Sequence, residues 1–296
     1  NHPEKDGALM KTWDEFWIDS RGATSGEHKT TCPRCSSSRK KQHYPCLNIN
    51  LDKCCWHCWH CDWSGSLHTG EERASNPAAP PLIYRKPIYR ATTLPPRVLA
   101  WFATRGIPES VLARNRISYG PVYMPQVEEE VSAIQFPYFR QGEVCNVKYR
   151  DGRKYFRMVG GAERLFYGWD DVAGDTLIIC EGEMDKLALE VAGFLSVVSV
   201  PDGAPAITTK HYERKFDFLL AAEELLAPLQ RIILAVDNDG PGQKLAAELA
   251  RRLGPERCWR VNWSSECKDA NDVLMSYGAD VLRECIEHVT PWPVNG

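Results

Sequence analysis

No apolar run in the 296 residues approaches the roughly 20 residues that a membrane-spanning helix needs. No G-x-x-x-x-G-K-[ST] loop occurs, so these residues carry no P-loop motor. The segment Gly240–Leu245 resembles such a loop only superficially, because Lys244 is followed by leucine and the spacing is wrong. G-x-S-x-G and H-E-x-x-H are missing too, which removes the nucleophile-elbow hydrolases and the zincin proteases. An excess of one charge is also lacking. Lys and Arg number 36 against 39 Asp and Glu, so any surface for nucleic acid must be local. No signal-peptide pattern heads the sequence, which starts at Asn1, and a preceding segment is left open.

Cysteine is abundant and unevenly placed. Seven of the 12 fall between Cys32 and Cys61, and the other five are scattered. Clustering in CxxC pairs in a chain of this size points to metal in a reducing compartment rather than to a disulfide framework. Cys32-Pro-Arg-Cys35 forms one knuckle. The second has two registers, Cys55/Cys58 or Cys58/Cys61. The residue after a knuckle's second cysteine usually turns with positive φ, which Asp62 tolerates better than Trp59. The choice is therefore Cys32, Cys35, Cys58 and Cys61, a C-x2-C-x22-C-x2-C spacing that suits one structural zinc held by four thiolates. Such sites are worth roughly 10–16 kcal/mol in small peptides, so this module is expected to unfold without metal. His43, His57 and His60 are substitute ligands only if a thiolate is missing. Cys46, Cys54 and Cys55 read as packed or surface thiols.

Arg34, Arg39, Lys40 and Lys41 lie among Tyr44, Trp56, Trp59 and Trp63. Bases track a phosphate backbone and aromatics stack on unpaired bases. Trp56 and Trp63 are expected to cover a tiny core; Trp59 and the run 39–41 are candidates for DNA contact. Trp13, Phe16 and Trp17 suit one face of a short packing helix. Residues 71–96, rich in Pro and Ala without an apolar period, read as a linker. Val98, Leu99, Trp101 and Phe102 then give a helical face closed by Gly106, and a second short helix follows Pro108. Alternating stretches lead into Lys148–Arg157, with five bases against one acid and a turn signal at Asp151-Gly152. These bases are expected to line a two-stranded ribbon, either as a solvated hairpin or as a cationic groove.

Three apolar runs then end in acid. Thr176–Cys180 is followed by Glu181-Gly-Glu-Met-Asp185, Ile232–Val236 by Asp237-Asn-Asp239, and Cys258–Trp263 by Lys268-Asp269-Ala-Asn271-Asp272. Short continuous apolar runs fit strands buried on both faces of a parallel sheet, whose carboxyl ends share one edge. Helices are expected between them: Met184, Leu187, Ala188 and Val191 before Gly193, and Leu245, Leu249 and Leu253 before Gly254. Phe194–Val200 is a further strand candidate, ending in a turn that holds Asp202. Carboxylates aimed at one point repel, and a hard divalent cation relieves the conflict.

EGxxxD, then DxDG, then KDAN resembles the TOPRIM domain of primases and topoisomerases. With the CPRC and WHCWHCDWSG knuckles, KYRDGRKYF, LFYG and VPDGAP, the order from about Cys32 to Leu282 resembles bacterial-type DNA primases. It is most similar to the primase half of phage primase-helicases and their Twinkle relatives. Asp62 in place of glycine and the Cys54-Cys55 pair depart from that pattern. The resemblance implies a multi-domain chain, a small β zinc ribbon plus an α/β RNA polymerase domain containing TOPRIM. Its parts would be a template-recognition ribbon at 1–70, a linker at 71–96, a basic subdomain at 97–170 and a catalytic subdomain at 171–296. It implies synthesis of short RNA primers on single-stranded DNA from ribonucleoside triphosphates. Glu181, Asp185, Asp237, Asp239 and Asp269 would form the catalytic cluster. Glu181, Asp237 and Asp239 would hold one or two Mg²⁺, with Mn²⁺ as a substitute. Lys148, Arg150, Lys154 and Lys268 would bind nucleotide or template phosphates. Implied partners are a replicative helicase, in cis or in trans, and a DNA polymerase that takes the primer, with no membrane. The implied location is the bacterial cytoplasm for a phage protein and an organelle for a Twinkle-like one. Two other readings compete: a non-catalytic DNA-binding or loading module of a helicase, and a TOPRIM nuclease or topoisomerase.

Overall fold

The structure is a computed structural model that describes residues 11–20, 22–38, 42–68, 72–73, 84–206, 208 and 213–293. The chain divides into two compact units, Asn1–Ile83 and Tyr84–Gly296. No helix among the described residues is long and apolar enough to cross a membrane.

The first unit is an antiparallel sheet in the order β1 (Glu27–Thr30), β2 (Leu47–Asn50), β3 (Cys55–Cys58), β4 (Ser64–Ser66) and β5 (Glu72–Arg73). Alternation sets its inner face: Leu47, Ile49, Trp56 and Cys58 are buried, while the residues between them are half-buried. Trp56 and Trp63 fill the core as expected, with ring centroids 5.2 Å apart. Trp56 lies flat on Gly65, where a Cβ would come within 2.4 Å of the ring, so only glycine fits. The expected N-terminal helix is a single 3₁₀ turn, Asp14–Phe16. Three residues per turn put Trp13 and Phe16 on one side, against Trp56, and leave Trp17 84% exposed. Arg39, Lys40 and Lys41, the candidate basic run, lie outside the described residues.

The second unit opens with residues 84–95, the later part of the expected linker. This stretch is laid along the following sheet. The Thr92 amide donates to Ser118 Oγ at 2.9 Å, its hydroxyl donates to the Tyr119 carbonyl at 2.7 Å, and Lys86 pairs with Glu143 at 2.7 Å. Helices α1 (Pro96–Ala103) and α2 (Glu109–Arg114) follow. An antiparallel sheet comes next: β6 (Ser118–Met124), β7 (Glu129–Arg140), β8 (Glu143–Arg150) and β9 (Phe156–Met158). The expected basic hairpin is the β8–β9 pair, with a loop closed by the Asp151 carboxylate, which accepts from the amides of Arg153 and Tyr155 at 2.9 Å.

The remaining elements are β10 (Thr176–Cys180), α3 (Glu183–Val191), β11 (Val197–Ser199), α4 (Phe218–Ala221), α5 (Glu223–Leu226), β12 (Arg231–Ala235), α6 (Gly240–Leu253), β13 (Cys258–Arg260), α7 (Ala270–Tyr277), α8 (Ala279–Glu287) and β14 (Thr290–Pro291). The sheet order is β11-β10-β12-β13-β14, parallel except for β14. Both faces are buried, which is why the strands read as unbroken apolar runs. Ile178, Cys180, Ile233 and Ala235 face one core with Leu187, Val273 and Leu282; Leu177, Ile179, Ile232 and Leu234 face the other with Leu245, Leu249 and Phe218. At one edge, Tyr167 and Ser199 exchange two backbone hydrogen bonds of 3.0 Å. At the other, β14 pairs with β13, and the Trp292 amide donates to the Cys258 carbonyl at 2.8 Å.

Candidate functional site

The parallel register decides where the acids go. Cys180 lies beside Ala235 and Leu234 beside Arg260, so the segments after β10, β12 and β13 leave the sheet at one edge. Glu181 follows β10, and Asp185 sits in the first turn of α3, after Gly182. Asp237 follows β12. Asp239 caps α6, accepting from the Gly242 amide at 2.9 Å, and Asp269 caps α7, accepting from the Asp272 amide at 2.8 Å. Gly242 allows α6 to start this close, since a Cβ there would meet the Asp237 carbonyl oxygen at 2.1 Å. The loop before α7 is tied down by the Asn238 amide, which donates to the Lys268 carbonyl at 2.7 Å, and by Trp263 Nε1, which donates to the Val236 carbonyl at 2.7 Å.

All five predicted acids therefore belong to one sheet edge, and they sense one another. Burial, then the charges of Asp237 and Asp239, push Glu181 from 4.5 up to about 7. Burial, then Asp269, Asp237 and Glu181, hold Asp185 well above the usual carboxyl range. Burial also raises Asp237 and Asp269. One oxygen of Glu181 accepts from the Ala204 amide at 3.1 Å, supplied by the turn after β11; the other is buried without a partner. An all-carboxylate donor set with an orphaned oxygen and disfavoured negative charge fits a hard divalent cation.

The bases are placed less simply. Lys268 sits between the two aspartates, 2.7 Å from Asp237 and 3.2 Å from Asp239. It holds the position expected for a cation, and hydrogen bonding to Asp237 raises its own pKa. Lys148 does not line an open ribbon. It is buried, and its ammonium contacts both oxygens of Glu183 at 2.8 and 3.1 Å, while the Tyr138 hydroxyl donates to Glu183 at 2.5 Å. Arg150 stacks on Trp101 at 4.5 Å, and burial followed by nearby Arg105 lowers its pKa. Lys154 takes a left-handed conformation, φ 66°, on the hairpin loop, where its amide donates to the Asp151 carbonyl at 3.3 Å. Glu183, Tyr138 and Arg105 were not singled out from sequence. Glu183 carried a signal, as a third acid within EGEMD, whereas Tyr138 and Arg105 gave none because tertiary packing alone brings them here.

Beneath the acids lies a second ionic group. Lys186 is fully buried and contacts Asn115 at 2.6 Å, Asp171 at 2.7 Å and Glu190. Arg114 reaches Asp171 and Glu190 at 2.8 Å each. This network pins α3, which carries Asp185, to α2.

In the first unit, the ligand atoms of Cys32, Cys35, Cys58 and Cys61 all lie within 4.8 Å of one another. Parity excludes the other register: Cys55 and Cys58 are three apart on β3 and face opposite sides. Asp62 adopts φ 59°, as the knuckle requires. Four converging thiols, three of them buried, fit tetrahedral zinc. Trp59 stands edge-on to His57 with centroids 4.7 Å apart, and His57 lies 3.5 Å from Asp62 rather than among the thiols. Cys46, read from sequence as a packed or surface thiol, is buried and touches the cluster, with Sγ 3.7 Å from both Cys35 and Cys58.

The Toprim domain family matches residues 175–262. The Twinkle homolog protein, chloroplastic/mitochondrial, of Arabidopsis thaliana is 37% identical over 310 residues, covering 97% of this chain and 42% of that protein. The chain therefore spans less than half of that relative. The Primase homolog protein of Arabidopsis thaliana is 36% identical over 306 residues, covering 97% of this chain and 88% of that protein. Among solved structures, the primase fragment of the bacteriophage T7 primase-helicase protein superposes with a TM-score of 0.51 at 20% identity, covering 88% of this chain and 98% of that one. That likeness establishes a shared fold.

Proposed function

The chain belongs to the family of the Twinkle and primase homologues, and from that premise we propose that it makes short RNA primers on single-stranded DNA from ribonucleoside triphosphates. One observation carries the reading. Five carboxylates from three strand ends meet at one sheet edge, and burial holds four of them above their ordinary pKa.

Asp237 and Asp239, with Glu181, would hold Mg²⁺, or Mn²⁺ in its place. When bound, the ion supplies positive charge to the triphosphate oxygens during phosphoryl transfer. The residues of the chain do the rest. Glu181, with one oxygen held by the Ala204 amide and the other buried without a partner, suits a group that takes the proton of a 3′-hydroxyl. Lys268 is anchored through its backbone but half-exposed in its side chain, so its ammonium is free to turn from the aspartates to a nucleotide phosphate. Arg150, on its aromatic shelf, and Lys154 would meet template or nucleotide phosphates. Lys148 acts by tying Glu183, at the start of α3, to β8. The four-cysteine module would read the template. A helicase, in cis or in trans, and a DNA polymerase receiving the primer are the proposed partners. An organelle is the proposed location, by likeness to the chloroplastic/mitochondrial relative.

The test is a gel assay with single-stranded DNA of varied sequence, labelled ribonucleotides and Mg²⁺. Short labelled products that vanish in Asp237→Ala/Asp239→Ala, with DNA binding kept, support the reading. Persistent synthesis by that double variant refutes it. A second reading, a DNA-binding or loading module for a helicase, draws support from Lys268 already neutralising Asp237 and Asp239. DNA binding with no product on any template would favour it.

A further inference from the structure

Zinc takes four ligands in structural sites, yet this cluster contains five thiols. Cys46 immediately precedes β2, whose register places Leu47 opposite Cys58. Its own carbonyl accepts from the Trp59 amide at 3.0 Å, so the backbone holds Cys46 beside the second knuckle. The Sγ atoms of Cys35, Cys46 and Cys58 form a triangle with every side 3.7 Å. Cys46 is also in hydrogen-bond contact with Cys32. A zinc–sulfur bond of about 2.3 Å in a tetrahedron sets neighbouring sulfurs about 3.8 Å apart. The triangle thus already has the dimensions of one face of a zinc–thiolate tetrahedron. Cys61, 3.8 Å from Cys32, completes the CxxC tetrad from a half-buried position, whereas Cys46 is buried. Two overlapping tetrads therefore share Cys32, Cys35 and Cys58 and differ in the fourth thiol.

We propose that Cys46 is the fifth thiol of the zinc site and takes the fourth coordination place when Cys61 gives it up. While Cys61 is bound, Cys46 lies against the coordinated sulfurs, 3.7 Å from those of Cys35 and Cys58, without binding the ion. When Cys61 leaves, the released sulfur takes up a proton and Cys46 binds the ion as the thiolate in its place, so zinc keeps four thiolates and the Cys61 turn is free to open. The inference stands on sulfur geometry alone and does not depend on primer synthesis.

The test uses the full chain, zinc analysis after gel filtration, and the visible spectrum of the cobalt-substituted protein, which reports the number of thiolates. Cys61→Ser should keep one zinc per chain and a four-thiolate cobalt spectrum. Cys46→Ser should do the same through Cys61. Cys46→Ser/Cys61→Ser and the shared-ligand variant Cys58→Ser should both lose the metal or the four-thiolate spectrum. Loss of zinc from Cys61→Ser alone, or a three-thiolate spectrum there, overturns the proposal. So does a double variant that still shows four thiolates. Alkylation of zinc-loaded Cys61→Ser followed by peptide mass mapping gives an independent reading: Cys46 should be protected, and its modification also overturns the proposal.

Discussion

Glu181→Gln should make the zinc-loaded, magnesium-free protein more stable while abolishing the activity proposed for it. The glutamine keeps the shape and the acceptor that the Ala204 amide needs, and it removes a charge the site resists. Moving the carboxyl from 4.5 to about 7 weakens the folded anion by at most about 3 kcal/mol. The side chain is only half-buried, so water screening reduces this to roughly half, about 1.5 kcal/mol. For a unit of this size that corresponds to a rise in Tm of about 3–6 °C. The sign follows from linkage. The folded-state pKa is raised, so the folded protein holds the extra proton, and the contribution of Glu181 is complete below about pH 4.5 and is lost as pH climbs to about 7. Melting curves of the zinc-loaded protein in magnesium-free buffer should therefore coincide for the two proteins near pH 4.5 and separate by pH 7.5. Added Mg²⁺ should close the gap at pH 7.5 by raising the wild type. A variant that melts at or below the wild type at pH 7.5, or a gap that does not shrink on acidification, refutes the account of strained carboxylates.

Gly242→Ala puts a methyl 2.1 Å from the Asp237 carbonyl and should cost about 1–3 kcal/mol along with activity; Gly152→Ala, where nothing lies within 4 Å, is the neutral control, and equal melting of the two would contradict the packing argument. Lys186→Met leaves buried Glu190 and half-buried Asp171 with Arg114 as their remaining cation and should lower stability by about 2–3 kcal/mol in a denaturant titration; a loss under about 1 kcal/mol would show the network to be dispensable. Removing zinc with a chelator should release amide protection in β2 and β3 while β10 and β12 stay protected, as hydrogen exchange can measure; continued protection of β2 would show that the thiols alone hold the small sheet.

Sequence disclosed the parts whose physics is local or periodic. The runs ending at Cys180 and Val236 are apolar without alternation because both sheet faces are covered, and that pattern needs no knowledge of the neighbours. The knuckle register was legible because the left-handed turn at Asp62 is a one-residue property. Interactions between distant residues were not legible. Lys186 lies in the middle of an amphipathic helix and reads as a surface base until Asn115, Asp171 and Glu190 are placed around it. Lys148 looked like one of several ribbon cations, and only the packing of β8 against the start of α3 turns it onto Glu183. Residues 84–95 have linker composition but find hydrogen-bond partners on β6, which composition does not encode. Cys46 has no CxxC partner, so its place beside the tetrad comes from strand pairing alone.

The two rims of the parallel sheet bear on how copies of this protein meet. Successive backbone N–H groups of a strand point to opposite sides. The Trp292 amide points inward to Cys258, so the outward-facing donor of β14 would belong to residue 291, which is proline. At the far rim, Ser199 spends both its backbone groups on Tyr167. Among the described residues neither side offers a row of vacant donors and acceptors, which disfavours self-association by strand addition at both ends of this sheet. An assembly that used this sheet would therefore join by side-chain surfaces.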